Sequence, residues 1–429
     1  MRIFVLAALF LGQAFAQAQV DRGPLNRDLP KWLTLGVTQR IRGETWGDVQ
    51  FNPSDDDTFL VNRLQVRATI RPARNVTVFA EAMDSRVNGL TAGKPRPNLR
   101  DPIDLRQGYI RFGQPNQGHW DLTVGRQELV FGEERQLGIN QWANLPRSWD
   151  AVRLGLHQGV DRVDIFAASV VTIDTGGFNT VAPGSNIHGV YGQLRSPLPG
   201  HVIEPHVFWR TRPLVTDERG FTGDSDIFTL GARVADDHDL AIDYDAELET
   251  QWGHYAQDQH RGVQAMGRVG YTFTEARWAP HLFTEYTFSS GDKERGDGRS
   301  GRYDQIYARA HRIWGIVDQV GGRNSKIWQQ GVQWRPAAAW QFRVDHLFYW
   351  LANPHDNLYR HNGRLFLSIP AGNRETYIGD EAEAQLVWRP APEITLGVGF
   401  GKLFSGSVIK RYSQGGSPML GFAFAQLTL

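Results

Sequence analysis

Apolar and polar residues take turns along most of this chain. Leu33, Leu35, Val37 and Ile41 alternate with Thr34, Thr38, Arg40 and Arg42, and Leu64, Val66, Ala68 and Ile70 alternate with Arg63, Gln65, Arg67 and Thr69. In the run 240–251, Leu240, Ile242, Tyr244, Ala246 and Leu248 form one face, while Asp243, Asp245, Glu247 and Glu249 form the other. A period of two is the mark of a strand with unlike faces. Further runs of this kind lie at 76–82, 107–112, 121–125, 151–156, 163–167, 228–234, 263–273, 342–350, 382–388, 394–400 and 420–429. No stretch has a convincing helical period.

The connections also alternate. Short ones carry Pro or Gly, as at 71–74, 113–115, 196–200, 335–338 and 389–392, whereas long polar ones occupy 47–58, 85–103, 127–148, 170–186, 212–225, 291–325, 351–376 and 405–418. Alternating tight turns and long loops is the habit of bacterial outer-membrane barrels, with the turns on the periplasmic side. The pattern predicts an all-β, antiparallel transmembrane barrel of about 18 strands. Both termini then fall on the periplasmic side, and the loops at 291–325 and 351–376 face the cell exterior. Trp32, Trp46, Trp120, Trp149, Trp209, Trp334, Trp340, Trp350 and Trp388 stand near strand ends, where aromatic girdles would place them.

Composition changes this picture in two places. The 429 residues include 46 basic and 46 acidic side chains and no cysteine. The balance gives no reason to expect a nucleic-acid partner, and disulfides, thiolate metal sites and a Cys nucleophile are excluded. The start reads as a secretory signal: Arg2, an apolar run at 3–11, and small residues that allow cleavage after Ala16 or Ala18. Residues 19–429 then make a single barrel domain in the outer membrane of a Gram-negative-type bacterium.

The polar faces are too charged for a dry core. They suit a wet lumen, with the apolar faces turned to lipid. By parity the lumen wall carries Arg40, Arg42, Arg63, Arg67, Arg111, Arg153 and Arg343. Arg126 joins them only if a bulge at Gly125 shifts the register. The same wall carries Glu44, Glu81, Asp164, Asp243, Asp245, Glu247, Glu249, Glu285, Asp345, Glu381 and Glu383. Each arginine is thus either a contact for an anionic solute or half of a structural ion pair.

Two blocks carry a family resemblance. The first is Val124-Gly125-Arg126-Gln127-Glu128-Leu129, Phe131-Gly132-Glu133-Glu134-Arg135 and Arg147-Ser148-Trp149-Asp150-Ala151-Val152-Arg153. The second is Ser290-Gly291-Asp292, Tyr303, Tyr307, His311, Gly315, Asp318 and Arg323-Asn324, with weaker matches at 105–110 and 379–381. Together they resemble the alginate export family of outer-membrane β-barrels. The resemblance implies an 18-stranded passive channel that exports an anionic polysaccharide of alginate type, with a possible periplasmic export machinery. A general or substrate-selective porin for small-solute uptake is the alternative, and an outer-membrane barrel enzyme the minor one.

The loop at 127–148 is long, carries both signs of charge and holds Trp142. It either enters the lumen or caps the barrel from outside. If it enters, Glu128, Glu133, Glu134, Arg135 and Trp142 are the constriction candidates. His311 with Asp318 and Ser300, or His201 or His206 with Glu204, could be drawn as triads, but no nucleophile elbow accompanies them. No metal motif is present, Asp55-Asp56-Asp57 reads as a solvated tip, and no catalytic residue, metal or cofactor is expected.

Overall fold

The computed structural model describes residues 24–91, 99–115, 118–195, 200–236 and 241–429. The expected signal segment, the turn at 196–199 and Leu240 lie outside these residues. Eighteen antiparallel strands form one closed sheet. They are β1 (Leu33–Gly47), β2 (Asp57–Ala73), β3 (Val76–Asn88), β4 (Asp101–Gly113), β5 (Trp120–Gln127), β6 (Trp149–Gln158), β7 (Asp161–Thr172), β8 (Thr180–Arg195) and β9 (His201–Thr216). Then come β10 (Thr222–Asp236), β11 (Ile242–Tyr255), β12 (Asp258–Thr272), β13 (His281–Ser289), β14 (Ser325–Trp334), β15 (Trp340–Leu351), β16 (Tyr377–Ala391), β17 (Ile394–Ser405) and β18 (Met419–Thr428). Each pairs with the next, and β18 closes on β1, with Thr428 opposite Thr38 and Met419 opposite Gly47. Closure leaves no unpaired edge, a condition for crossing a bilayer with strands. Among the described residues no helix is long and apolar enough to cross a membrane; the α-helices are short, at Ala310–Ile313 and Ser407–Tyr412.

The faces are inverted relative to a water-soluble fold. On β11, Ile242 and Leu248 are 57% and 60% exposed, whereas Asp245 and Glu249 are 1% exposed. Leu230, Val263, Val269 and Leu282 on neighbouring strands continue the exposed apolar belt. The outer wall therefore offers lipid a greasy surface, and charged groups face inward. Girdle aromatics stack across strands: Trp340 on Trp388 with centroids 5.0 Å apart near the short turns, and Trp209 on Phe228 at 5.6 Å toward the long loops. Trp46 and Trp149 depart from the expectation. Trp46 shares the inward parity of Arg42 and donates to Glu44 at 2.7 Å, and Trp149 is fully buried in the lumen.

The expected loop alternation is not strict. The exterior connection between β11 and β12 is only Ala256-Gln257, with Ala256 at φ 51°. The periplasmic connection 273–280 is longer than its counterparts. Strands β9 and β10 extend past the expected 212–225 loop, leaving 217–221, because backbone pairing continues where side-chain alternation has faded. The 291–325 loop also differs from its expected exterior position. Lys293, Glu294 and Asp297 are exposed, but Tyr303, Trp314 and Val317 are buried within the barrel. The chain has no cysteine, so single-Cys labelling tests this cleanly. Cys at Lys293 or Asn362 should react with an impermeant maleimide on intact cells, and Cys at Val317 or Ala337 should not. Strong labelling at Ala337 would invert the topology.

Candidate permeation pathway

The loop between β5 and β6, residues 128–148, folds into the lumen and spans it. On one side three wall arginines converge on a single turn. Arg40 donates to the carbonyls of Gln141, Trp142 and Ala143 at 3.1, 3.0 and 3.2 Å, Arg42 to Trp142 at 2.7 Å, and Arg63 to Ala143 at 2.8 Å. Such guanidinium–carbonyl contacts keep buried cations solvated by backbone dipoles. On the far side Gln136 donates to Glu249 on β11 at 2.8 Å, and Arg135 pairs with Glu285 on β13 at 2.7 Å. Leu129, Leu137 and Ile139 pack with Trp149, Phe166, Ile187 and Phe208 in a lumenal apolar cluster.

A second loop, 290–324, meets the first inside the barrel. Leu137 bridges to Tyr307, and Tyr303 donates to Gln136 at 2.6 Å. Its far end is captured by two wall carboxylates: Ile316 N–H donates to Glu383 and Val317 N–H to Glu381, each at 3.0 Å. The backbone passes so close here that a Cβ on Gly315 would lie 2.4 Å from Tyr349 Oη, and φ is +94°, which favours glycine.

Trp142 sits where the two lumenal loops meet. Its ring stacks on His311 with centroids 4.0 Å apart at an interplanar angle of 4°, Arg42 lies 3.7 Å over it, and Phe422 meets it edge-on at 4.6 Å. It lines two cavities at once. The outer one, about 1450 Å³, opens toward the long loops and is lined by Arg42, Trp46, Tyr307, Asp318 and Arg360. The inner one, about 180 Å³, is lined by Arg40, Gln385 and Gln426 in the periplasmic half. The Trp142–His311 layer therefore separates an exterior vestibule from a smaller periplasmic chamber.

Among the described residues, nine arginines, five carboxylates and no lysine line the vestibule. Behind its wall the Asp304 carboxylate is shared by three guanidiniums, those of Arg210, Arg323 and, at 3.0 Å, Arg212. Arg302 pairs with Asp356 at 2.8 Å and also with Glu218. The surplus is cationic and planar, suited to bidentate contact with carboxylates.

The wall residues read from parity fall as follows. Arg67 faces the lumen and bonds Thr38, with Glu81 3.8 Å away. Arg111 donates to Thr123 at 2.9 Å, Arg153 to Asp164 at 2.7 Å, and Arg343 to Asp345 at 2.6 Å. Glu247 and Glu249 are buried under the loop. Arg126 does not join the wall. The β5–β6 register runs on without a shift, so Arg126 keeps the parity of Leu122 and Val124, yet its side chain is buried, donating to Asp150 at 2.7 Å and to the Leu105 carbonyl at 3.1 Å. Of the loop candidates, Glu128 pairs with Arg106 at 2.6 Å, Glu133 approaches Arg233 at 3.6 Å, and Glu134 bonds Arg309 at 3.1 Å. Sequence reasoning missed Arg210 and Arg212, although both share the inward parity of Glu204, His206 and Phe208. Arg295, Arg302, Arg323, Arg360 and Arg364 stand outside the barrel strands, where no parity rule applies.

His311 bonds Asp318 at 2.7 Å, and its ring is part of the Trp142 layer. Burial pushes the Asp318 carboxyl up to about 7, with Glu44 adding to the rise and His361 and Arg42 opposing it. A carboxyl raised from its usual value of about 3.9 costs stability once it ionises. The cost is absent below about 4, grows as pH rises, and levels off above about 7. Burial holds His311, bonded to Asp318, well below its ordinary value, which opposes this gain below about 6.5; the Asp318 part alone holds segment 314–320 more firmly at pH 5 than at pH 8. Hydrogen exchange, corrected for intrinsic rates, should be slower there at pH 5, and Asp318→Asn should remove that part of the dependence. An unchanged profile in that variant would assign the effect to another group.

Three comparisons bear on this architecture. A family model described as alginate export matches residues 31–420. No curated protein matches the chain in sequence. Among solved structures, OccK3 (OpdO) of Pseudomonas aeruginosa is similar over 92% of this chain and 95% of its own, at 11% identity and a TM-score of 0.61. OpdK of the same organism is similar over 92% and 98%, at 9% identity and a TM-score of 0.61. A BenF-like porin from Pseudomonas fluorescens is similar over 92% and 98%, at 8% identity and a TM-score of 0.62. At these identities the likeness is one of fold.

Proposed function

This chain belongs to the alginate export family, and we propose that it is a passive outer-membrane channel exporting an anionic polysaccharide of alginate type. The observation that carries the reading is the vestibule, where nine arginines outnumber five carboxylates. Guanidinium groups stay charged at any physiological pH and pair with uronate carboxylates two bonds at a time. A wide cationic mouth also lowers the energy of a polyanion along the pore. Export requires a periplasmic machinery that delivers the polymer.

A second reading rests on a different observation. A cavity of about 180 Å³ lies below the Trp142 layer, a size suited to a small solute. One structural neighbour, OpdK, has been crystallised with vanillate, a small carboxylate. Uptake of small carboxylates would use the same arginines. Planar-bilayer recordings separate the readings. Both require anions to be favoured over cations, so cation selectivity would remove both. Export predicts block by uronate oligomers that neutral oligosaccharides of equal length do not match. Uptake predicts that monomeric carboxylates compete with chloride and longer oligomers have no effect. In either case Arg210→Gln with Arg323→Gln should reduce anion preference.

A further inference from the structure

Across the lumen from the arginine trio, His206 on β9, Gly231 on β10 and Glu249 on β11 stand side by side in register. Gly231 makes room: a Cβ there would lie 2.3 Å from His206 Nε2 and 2.7 Å from Glu249 Cγ. The two side chains lean over the glycine toward each other. Glu247, two residues along the same face, joins them, and the ligand atoms of all three lie within 4.8 Å of one another. His206, Glu247 and Glu249 are 3%, 8% and 1% exposed.

The imidazole is oriented for a lone pair to face the carboxylates. His206 Nδ1 lies 3.1 Å from the Glu204 carbonyl, which can accept only from an N–H, so Nε2 carries no proton in the neutral ring. Tyr191 stacks on the ring at 5.5 Å and Phe208 at 5.0 Å, holding its plane. His206 Nε2 has no hydrogen-bond partner and lies 3.7 Å from Glu249 Oε1, while the Glu247 and Glu249 carboxyls stand close enough to share a proton. Lone pairs converging in a buried place repel unless a cation or protons lie between them. Arg135 adds positive charge from the loop, but its head group is bound to Glu285. A ring nitrogen whose other nitrogen is fixed on a carbonyl is the usual support of a metal-binding histidine.

We propose that His206, Glu247 and Glu249 bind a divalent transition-metal cation of the zinc class at the lumen wall. One imidazole and two carboxylates form a nitrogen–oxygen donor set that such ions accept. The ligands lie on two strands and converge over a third, so no local motif announces them. Glu249 also accepts from Gln136, so the cation ties the lumenal loop to the wall opposite the arginine trio.

The test uses untagged, full-length protein in detergent, stripped with a chelator and titrated with Zn²⁺ by calorimetry against a competing chelator. The expected result is one tight equivalent. Binding should weaken by more than about tenfold in His206→Gln and in Glu249→Gln, and should persist in His254→Gln, which alters the exposed pair with Asp224. Heat-modifiable gel mobility confirms that each variant is folded. Should a variant not fold, anomalous scattering at the zinc edge on wild-type crystals decides: a peak among these three side chains supports the site. No bound equivalent, equal binding in a folded His206→Gln protein, or a peak at other histidines overturns it, and protons then hold the cluster together.

Discussion

Replacing Glu133–Ala143 by a short glycine-serine linker is expected to raise single-channel conductance severalfold and to move selectivity toward anions. The segment removed is the span that crosses the lumen. It carries the Trp142 ring that separates the two cavities, and it carries the carbonyls that occupy Arg40, Arg42 and Arg63. Its loss joins vestibule and chamber into one wider path and leaves three guanidiniums facing water. The acids Glu133 and Glu134 leave with it, releasing Arg309, while Arg233 loses only a distant partner and stays bound to Asp245 and Glu204. Arg135 leaves too, freeing Glu285, but the net change in the path is cationic. The strands keep their pairing, so the barrel should still migrate as a folded band in a heat-modifiability assay. Trp142→Ala should produce a smaller rise in the same direction. Unchanged conductance and selectivity in the linker variant would place the permeation path elsewhere than through this layer.

The strands were legible because lipid on one side and charge on the other impose period two on side chains. Asp245, Glu247 and Glu249 against Ile242 and Leu248 leave one plausible orientation once the strand number makes the interior wet. Arg126 shows the limit of that rule. Its parity sets it apart from the wall arginines unless a bulge at Gly125 shifts the register, and the pairing of β5 with β6 shows no shift. Trp46 and Trp149 failed for a related reason, since a Trp near a strand end packs equally well on a loop folded inside. The lumenal loops obey no period, so their route could not be read from spacing. Yet the residues that carried the resemblance turn out to touch. Arg147 of the first block donates to the Tyr307 carbonyl of the second at 2.7 Å across 160 residues of sequence, and His311 of the second stacks on Trp142 of the first loop. Glu381, in one of the weaker matches, binds Val317. These contacts lie where the two loops lock together, a constraint of tertiary packing that alternation does not record.

Leu248→Arg should impair barrel stability far more than Gln385→Arg. Leu248 lies in the middle of β11, between Ala232 and Ala265 on the adjacent strands, and is 60% exposed on the outer face. In a bilayer that exposure is to hydrocarbon. A charged side chain near the midplane of a barrel's lipid face costs about 2–4 kcal/mol, and the small flanking alanines offer it no partner. Gln385 has the opposite parity, lines the inner chamber and faces Arg343 across the β15–β16 pair. An arginine there faces the chamber rather than hydrocarbon; Arg40, Arg309 and Arg312 line the same chamber and add repulsion that water screens, while Arg343 is already bound to Asp345 at 2.6 Å. The neighbouring Glu247 is a poorer comparator than its parity suggests, since the loop covers it and a substitution would disturb packing as well as charge. Urea unfolding in liposomes, followed by tryptophan fluorescence and gel mobility, should therefore show a large fall in midpoint for Leu248→Arg. For Gln385→Arg the midpoint should barely move, while single-channel recordings show a shift in ion preference. Equal midpoints for the two variants would mean that the apolar face of β11 does not meet lipid, and the inside-out assignment of the wall would fail with it.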